Sequence, residues 1–216
     1  MVEKKRIPKN PIKYSVELTD EQKEVKRLIH THKVTLLYGE AGTSKTFCSA
    51  ISALDLIFTK QFKKLYIMRP AVATEAIGYL PGSASEKLSY YTIPLISNLY
   101  KAYNKQKIDS MINEGIIETM PLAFIQGITI DSEEILICDE SQNITKAQFK
   151  AILTRLGKGG KLIFTGDTDQ VMLENPSKSG FSQLLTLCGQ IPDMACKELK
   201  TNYRDEFVQQ ILNLYH

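Results

Sequence analysis

Short, mostly apolar runs at 36–38, 64–68, 134–138 and 161–165 set the rhythm of the chain. A strand with one wet face alternates polar and apolar residues, whereas a strand covered on both faces of a parallel sheet need not, so these runs predict buried strands. A shorter strand is expected at 116–119 and an edge strand near 195–199. The stretches between them carry apolar residues at helical spacing, with Val25, Leu28 and Ile29 in 18–30, followed by 46–56, 86–103 and 107–113. Tyr100 and Tyr103 in the third of these are read as core aromatics rather than base-stacking platforms. Thr145 and Gln148 have the spacing of a capping box for a helix running to Leu156, where Gly157 can end it. A short helix is expected near 180–187, and Val208, Ile211, Leu212 and Tyr215 mark a terminal one. Strands alternating with helices predict an α/β fold with a mostly parallel sheet.

The candidate chemistry follows the strands. After the first, Gly39-Glu40-Ala41-Gly42-Thr43-Ser44-Lys45-Thr46 has what a nucleotide's phosphates need: glycine turns that converge backbone N–H groups, a lysine, and a hydroxyl for magnesium. The helix after it would turn its positive dipole end toward the anion. Ser44 stands where G-x-x-x-x-G-K-[ST] has its second glycine, and a plain strand-to-helix turn is the competing reading. Gln22, on the first helix, is a candidate for hydrogen bonding an adenine edge. The third buried run ends in Asp139 and Glu140, at the carboxyl edge where open α/β sheets collect ligands. Asp139 would hold magnesium and Glu140 would polarise an attacking water. The fourth ends in Gly166-Asp167-Thr168-Asp169-Gln170, where Gln170 is placed to feel a γ-phosphate. Asp167 is a further candidate on the nucleotide side, with a turn-forming role as its alternative.

Composition narrows the class. A chain of 216 residues holds one full-sized core, and no Pro/Gly/Ser-rich linker divides it. Residues 18–216 are therefore read as one domain behind a basic arm, 1–17, whose Lys4, Lys5, Arg6, Lys9 and Lys13 are interrupted by Pro8 and Pro11. Such a charge run at a terminus is most simply a solvated tail. Hydrophobic content of 43% with 24% charge argues against long disorder, and a net charge of +3 permits an anionic partner without requiring one. Cys48, Cys138, Cys188 and Cys196 lack C-x-x-C spacing, so a metal cluster is not expected and buried free thiols are. No signal-peptide pattern and no run of membrane-spanning length is present, which gives a cytoplasmic location and no membrane partner as expectations.

Taken in order, the segments 39–46, Arg69-Pro70-Ala71 with Gly78-Tyr79-Leu80-Pro81-Gly82, 121–127, Asp139-Glu140-Ser141-Gln142-Asn143 and 166–170 resemble the PhoH-like family of P-loop ATPases. The core of that family is similar to the first motor domain of superfamily 1 helicases. The resemblance implies a RecA-like fold in three α/β/α layers, magnesium-dependent ATP hydrolysis, and coupling to RNA or single-stranded DNA. The expected roles are phosphate holding by Lys45, magnesium holding by Thr46 and Asp139, water positioning by Glu140 and γ-phosphate sensing by Gln170. Arg69 and the turn around Pro81 are the nucleic-acid candidates, by analogy to helicase strand contacts. Phosphoryl transfer also needs a positive charge on the transition state, which a two-domain helicase takes from a second motor domain that this chain is too short to hold. A ring oligomer, a hexamer by resemblance, is therefore expected to supply it across an interface. Arg204, in a segment resembling the family's C-terminal arginine motif, is preferred over Arg155. This chain departs from the family at Ser141, a small change from alanine, and at Ser44. The latter is expected to place a hydroxymethyl group beside the phosphates, with weaker binding, slower turnover or a small loop adjustment as the open outcomes. Ser44 also keeps open a second function, a nucleotide-switched nucleic-acid-binding or assembly protein that scarcely hydrolyses.

Overall fold

A computed structural model describes residues 16–70 and 84–214. The apolar runs form one six-stranded sheet in the order β3-β2-β4-β5-β1-β6, and every pairing in it is parallel. The strands are β1 (Val34–Tyr38), β2 (Lys64–Met68), β3 (Ile117–Thr119), β4 (Glu134–Cys138), β5 (Lys161–Gly166) and β6 (Met194–Glu198). The helices are α1 (Asp20–Thr31), α2 (Lys45–Phe58), α3 (Ala84–Ala102), α4 (Lys105–Asn113), α5 (Lys146–Leu153), α6 (Phe181–Leu185) and α7 (Glu206–Leu214). Because successive side chains of a strand point to opposite faces, the apolar runs split between two cores. Leu37, Ile67, Ile137 and Ile163 pack against α1 to α4, while Leu36, Leu136, Leu162 and Phe164 face α5 and α6. Tyr100 and Tyr103 pack on the first core, as expected.

Local chemistry fixes the helix ends. Thr19 and Gln22 form a capping box on α1, and Thr145 and Gln148 form one on α5. The latter helix stops at Leu153 rather than Leu156, because the chain must open there to bridge Ile130: its N–H donates to the Arg155 carbonyl at 2.7 Å, and the Gly157 N–H donates back to Ile130 at 2.8 Å. Lys161, buried at the start of β5, donates its ammonium to the carbonyls of Ile29 and His32, which ties the end of α1 to the sheet.

The cysteines divide. Cys48 and Cys138 are buried free thiols as expected, and burial pushes them up to about 11 and about 12. Cys188 and Cys196, expected to be free, are instead joined. The turn between α6 and β6 doubles back and brings their Cα atoms to 5.9 Å, a proximity that a separation of 8 residues does not signal. Among the described residues no helix is long and apolar enough to cross a membrane. The basic run Lys4 to Lys13 and the turn at Pro81 lie outside the described residues.

Candidate active site

β4, β5 and β1 are adjacent, so the polar segments that follow them meet at one carboxyl edge. The chain leaves β1 through a turn in which Gly39 has φ +138° and Gly42 φ +92°. Neither can carry a side chain: a Cβ on Gly39 would sit 2.3 Å from the Leu199 carbonyl oxygen, and one on Gly42 2.7 Å from both Arg204 Cγ and Asn202 Oδ1. The turn opens into α2, whose first residue is Lys45. The Lys45 ammonium folds back over the loop to donate to the carbonyls of Gly39 at 2.7 Å and Glu40 at 2.6 Å. Burial lowers its pKa, against the pull of Asp167, Glu140 and Asp139.

Thr46, on the first turn of α2, donates to Asp139 Oδ1 at 2.9 Å, and Thr165 of β5 donates to the same oxygen. Asp139 is only 4% exposed. An oxygen-only pair of hydroxyl and carboxylate from facing elements suits Mg2+, which takes one or two protein ligands beside phosphate and water. Among the described residues no larger cluster of metal-ligating side chains exists.

Glu140 takes a left-handed conformation, φ 53° and ψ 41°. A non-glycine residue in that region is under local backbone strain, a feature that clusters at functional sites. Its carboxylate accepts from Gln142 Nε2 at 2.7 Å and lies 3.7 Å from the Arg69 guanidinium. Gln142, buried, donates also to the Gln170 carbonyl and accepts from the Asp167 N–H at 3.1 Å. It thus joins the acidic pair to the segment after β5. Asp167 turns its own carboxylate to the Asp169 N–H at 3.0 Å, the turn role foreseen as its alternative, while still lining the cleft. The Ser141 hydroxyl, where the family has alanine, is satisfied by the Cys138 carbonyl at 2.8 Å.

The cleft over these residues encloses about 740 Å3 and takes in Gln22, Lys45, Glu140, Gln170, Tyr203 and Arg204. The segment before α7 is pinned across the loop: the Tyr203 N–H donates to the Gly42 carbonyl at 3.0 Å, and Asn202 Nδ2 to the Ala41 carbonyl at 3.5 Å. Arg204 consequently lies against the loop of its own chain, close to Gly42. Arg155 does not approach the cleft. It follows α5 at the amino edge of β5 and donates to the Gln126 carbonyl at 3.3 Å. Ser44 also lines the cleft, with a left-handed backbone, φ 65° and ψ 18°; its hydroxyl accepts from Gln22 Nε2 of α1 at 3.1 Å and lies 3.5 Å from Cys48 Sγ of α2.

The profile of the PhoH-like protein family covers residues 16–216. The chain belongs to that family. It is 37% identical over 200 residues to a PhoH-like protein of Synechocystis sp., an alignment spanning 91% of this chain and 61% of that relative, so the chain corresponds to about three fifths of it. In fold it is similar to the large terminase of a thermophilic bacteriophage, with TM-score 0.59 at 11% identity over 93% of this chain and 51% of that one. It is also similar to the UvsW helicase of bacteriophage T4, with TM-score 0.51 at 12% identity over 85% and 60%. The PhoH-like chain thus has the RecA-like P-loop architecture. Sequence reasoning missed Tyr203, Thr165 and Gln142 as site residues. For Gln142 a signal existed, since it stands two residues after Glu140, in the polar segment that ends a buried strand.

Proposed function

We propose that this chain binds ATP with Mg2+ in the cleft at the ends of β1, β4 and β5 and hydrolyses it, as a ring oligomer, a hexamer by family resemblance, that acts on RNA or single-stranded DNA. The observation that carries this is the convergence of Lys45, Thr46, Asp139, Glu140 and Arg204 on one cleft from separate elements. Lys45 exchanges the carbonyls of Gly39 and Glu40 for the β- and γ-phosphates, and the backbone N–H groups at the start of α2 hold the same oxygens. Thr46 and Asp139 hold the metal, which when bound offsets negative charge on the phosphate oxygens. Glu140 accepts the proton of the attacking water as the bond to the γ-phosphorus forms and the bond to the β–γ bridging oxygen breaks, and Arg204 offsets the charge that builds up. Gln142 couples loss of the γ-phosphate, felt at Gln170, back to Glu140. Phosphate release measured with and without RNA, alongside native mass, tests the proposal. Release that RNA raises, from an assembly of several chains, supports it; a monomer that binds no ATP contradicts it.

The Arg69–Glu140 contact favours a slow basal rate. While the Arg69 guanidinium, 3.7 Å away, holds the Glu140 carboxylate, that carboxylate is kept from the attacking water, and a nucleic-acid phosphate on Arg69 would release it. Half-exposed pairs of this kind are worth up to about 1 kcal/mol. Arg69→Ala is therefore expected to raise RNA-free ATPase by up to about fivefold and to abolish the response to RNA. A variant whose RNA response equals that of wild type removes Arg69 from the coupling.

A further inference from the structure

Ser44 and Gln22 lie 22 residues apart in the sequence, yet they connect the phosphate loop to the far wall of the cleft. The Gln22 side chain is 6% exposed and its amide is held at both ends: Nε2 donates to Ser44 Oγ at 3.1 Å, and Oε1 accepts from the Thr19 N–H at 3.1 Å. The chain of contacts goes on from Thr19 Oγ1 to the Tyr203 hydroxyl at 3.1 Å, on the same side of the cleft. The Thr19 N–H, a pure donor, sets which end of the amide is oxygen, and Ser44 Oγ holds the nitrogen end in place. That matters for what it can read. An adenine edge offers one donor, N6, and one acceptor, N7, which match a fixed Oε1 and the remaining N–H of Nε2; a guanine edge offers acceptors at both places. Glycine at position 44 would satisfy the loop backbone and leave Nε2 unanchored.

We propose that Ser44 is a positioning residue that holds the nitrogen end of the Gln22 amide where it can meet adenine, so that this loop serine strengthens the preference for adenine over guanine nucleotides. The inference rests on the reading that the cleft binds nucleoside triphosphates. It gives the departure at position 44 a use on the base side of the cleft.

The test is a double-mutant cycle read as the ratio of Kd for GTP to Kd for ATP, measured calorimetrically with Mg2+ for wild type, Ser44→Ala, Ser44→Gly, Gln22→Ala and the two double variants. Wild type is expected to prefer ATP, and Ser44→Ala and Ser44→Gly each to reduce the ratio about fivefold, the worth of one hydrogen bond. In the Gln22→Ala background neither Ser44 substitution should change the ratio further, because Ser44 acts only through that amide. Glycine relieves the left-handed backbone and alanine does not, so agreement between the two identifies the hydroxyl as the cause. Thermal melts of each variant establish that the proteins compared are folded. A wild-type ratio near one, an unchanged ratio in Ser44→Gly, or additive effects overturn the inference while leaving the nucleotide site standing. If wild type binds neither nucleotide, the site reading falls and this inference falls with it.

Discussion

Glu140→Gln is expected to keep ATP bound while lowering phosphate release by about two to four powers of ten, the usual worth of a positioned general base. The substitution keeps the shape of the side chain and an oxygen able to accept from Gln142 Nε2, the contact that now holds the carboxylate at 2.7 Å. What it removes is the ability to take a proton from water. Glu140 is also the residue on which the surrounding network converges, with Gln142 on one carboxylate oxygen and Arg69 facing the other. ATP affinity and phosphate release measured on the same preparation separate loss of chemistry from loss of binding. A variant that hydrolyses within about fivefold of wild type would move the base elsewhere.

The second large effect is expected at Arg204. If its guanidinium meets the charge developing on the transferred phosphoryl group, Arg204→Ala should lower turnover by about three powers of ten or more. Its placement makes a further prediction. Asn202 and Tyr203 anchor the segment to the Ala41 and Gly42 carbonyls of the same chain, so the arginine is expected to serve its own loop. Mixing Arg204→Ala chains with Lys45→Ala chains should then restore no activity, since no chain in the mixture carries both groups. Recovery on mixing would instead show that the arginine reaches a neighbour, as the sequence by itself suggests.

The parts of this molecule that depend on neighbours along the chain are legible in its amino-acid sequence. Buried strands announce themselves by mostly apolar runs, and the capping box at Thr145 falls at the expected spacing. The glycine loop, the acidic pair and Gln170 line one cleft because each follows a strand of the same sheet. Contacts between distant segments are not legible in this way. Tyr203 joins the site through Thr19, 184 residues away, and nothing in either segment signals the meeting. The direction of a side chain is equally hidden: nothing in the motif pairs the Ser44 hydroxyl with Gln22. Arg69 reads from the sequence as a surface contact for nucleic acid, whereas its nearest carboxylate among the described residues is the one assigned to catalysis. The pairing of Cys188 with Cys196 depends on how a turn closes, which local pattern does not report.

The claim that Lys45, Thr46, Asp139 and Glu140 form a working ATPase site is tested most directly by phosphate release from Mg2+-ATP, comparing wild type with Lys45→Ala. Wild-type release at least about a hundredfold above the variant is the predicted result, in line with removal of a charge that stabilises the transition state. Equal release from the two proteins would contradict it.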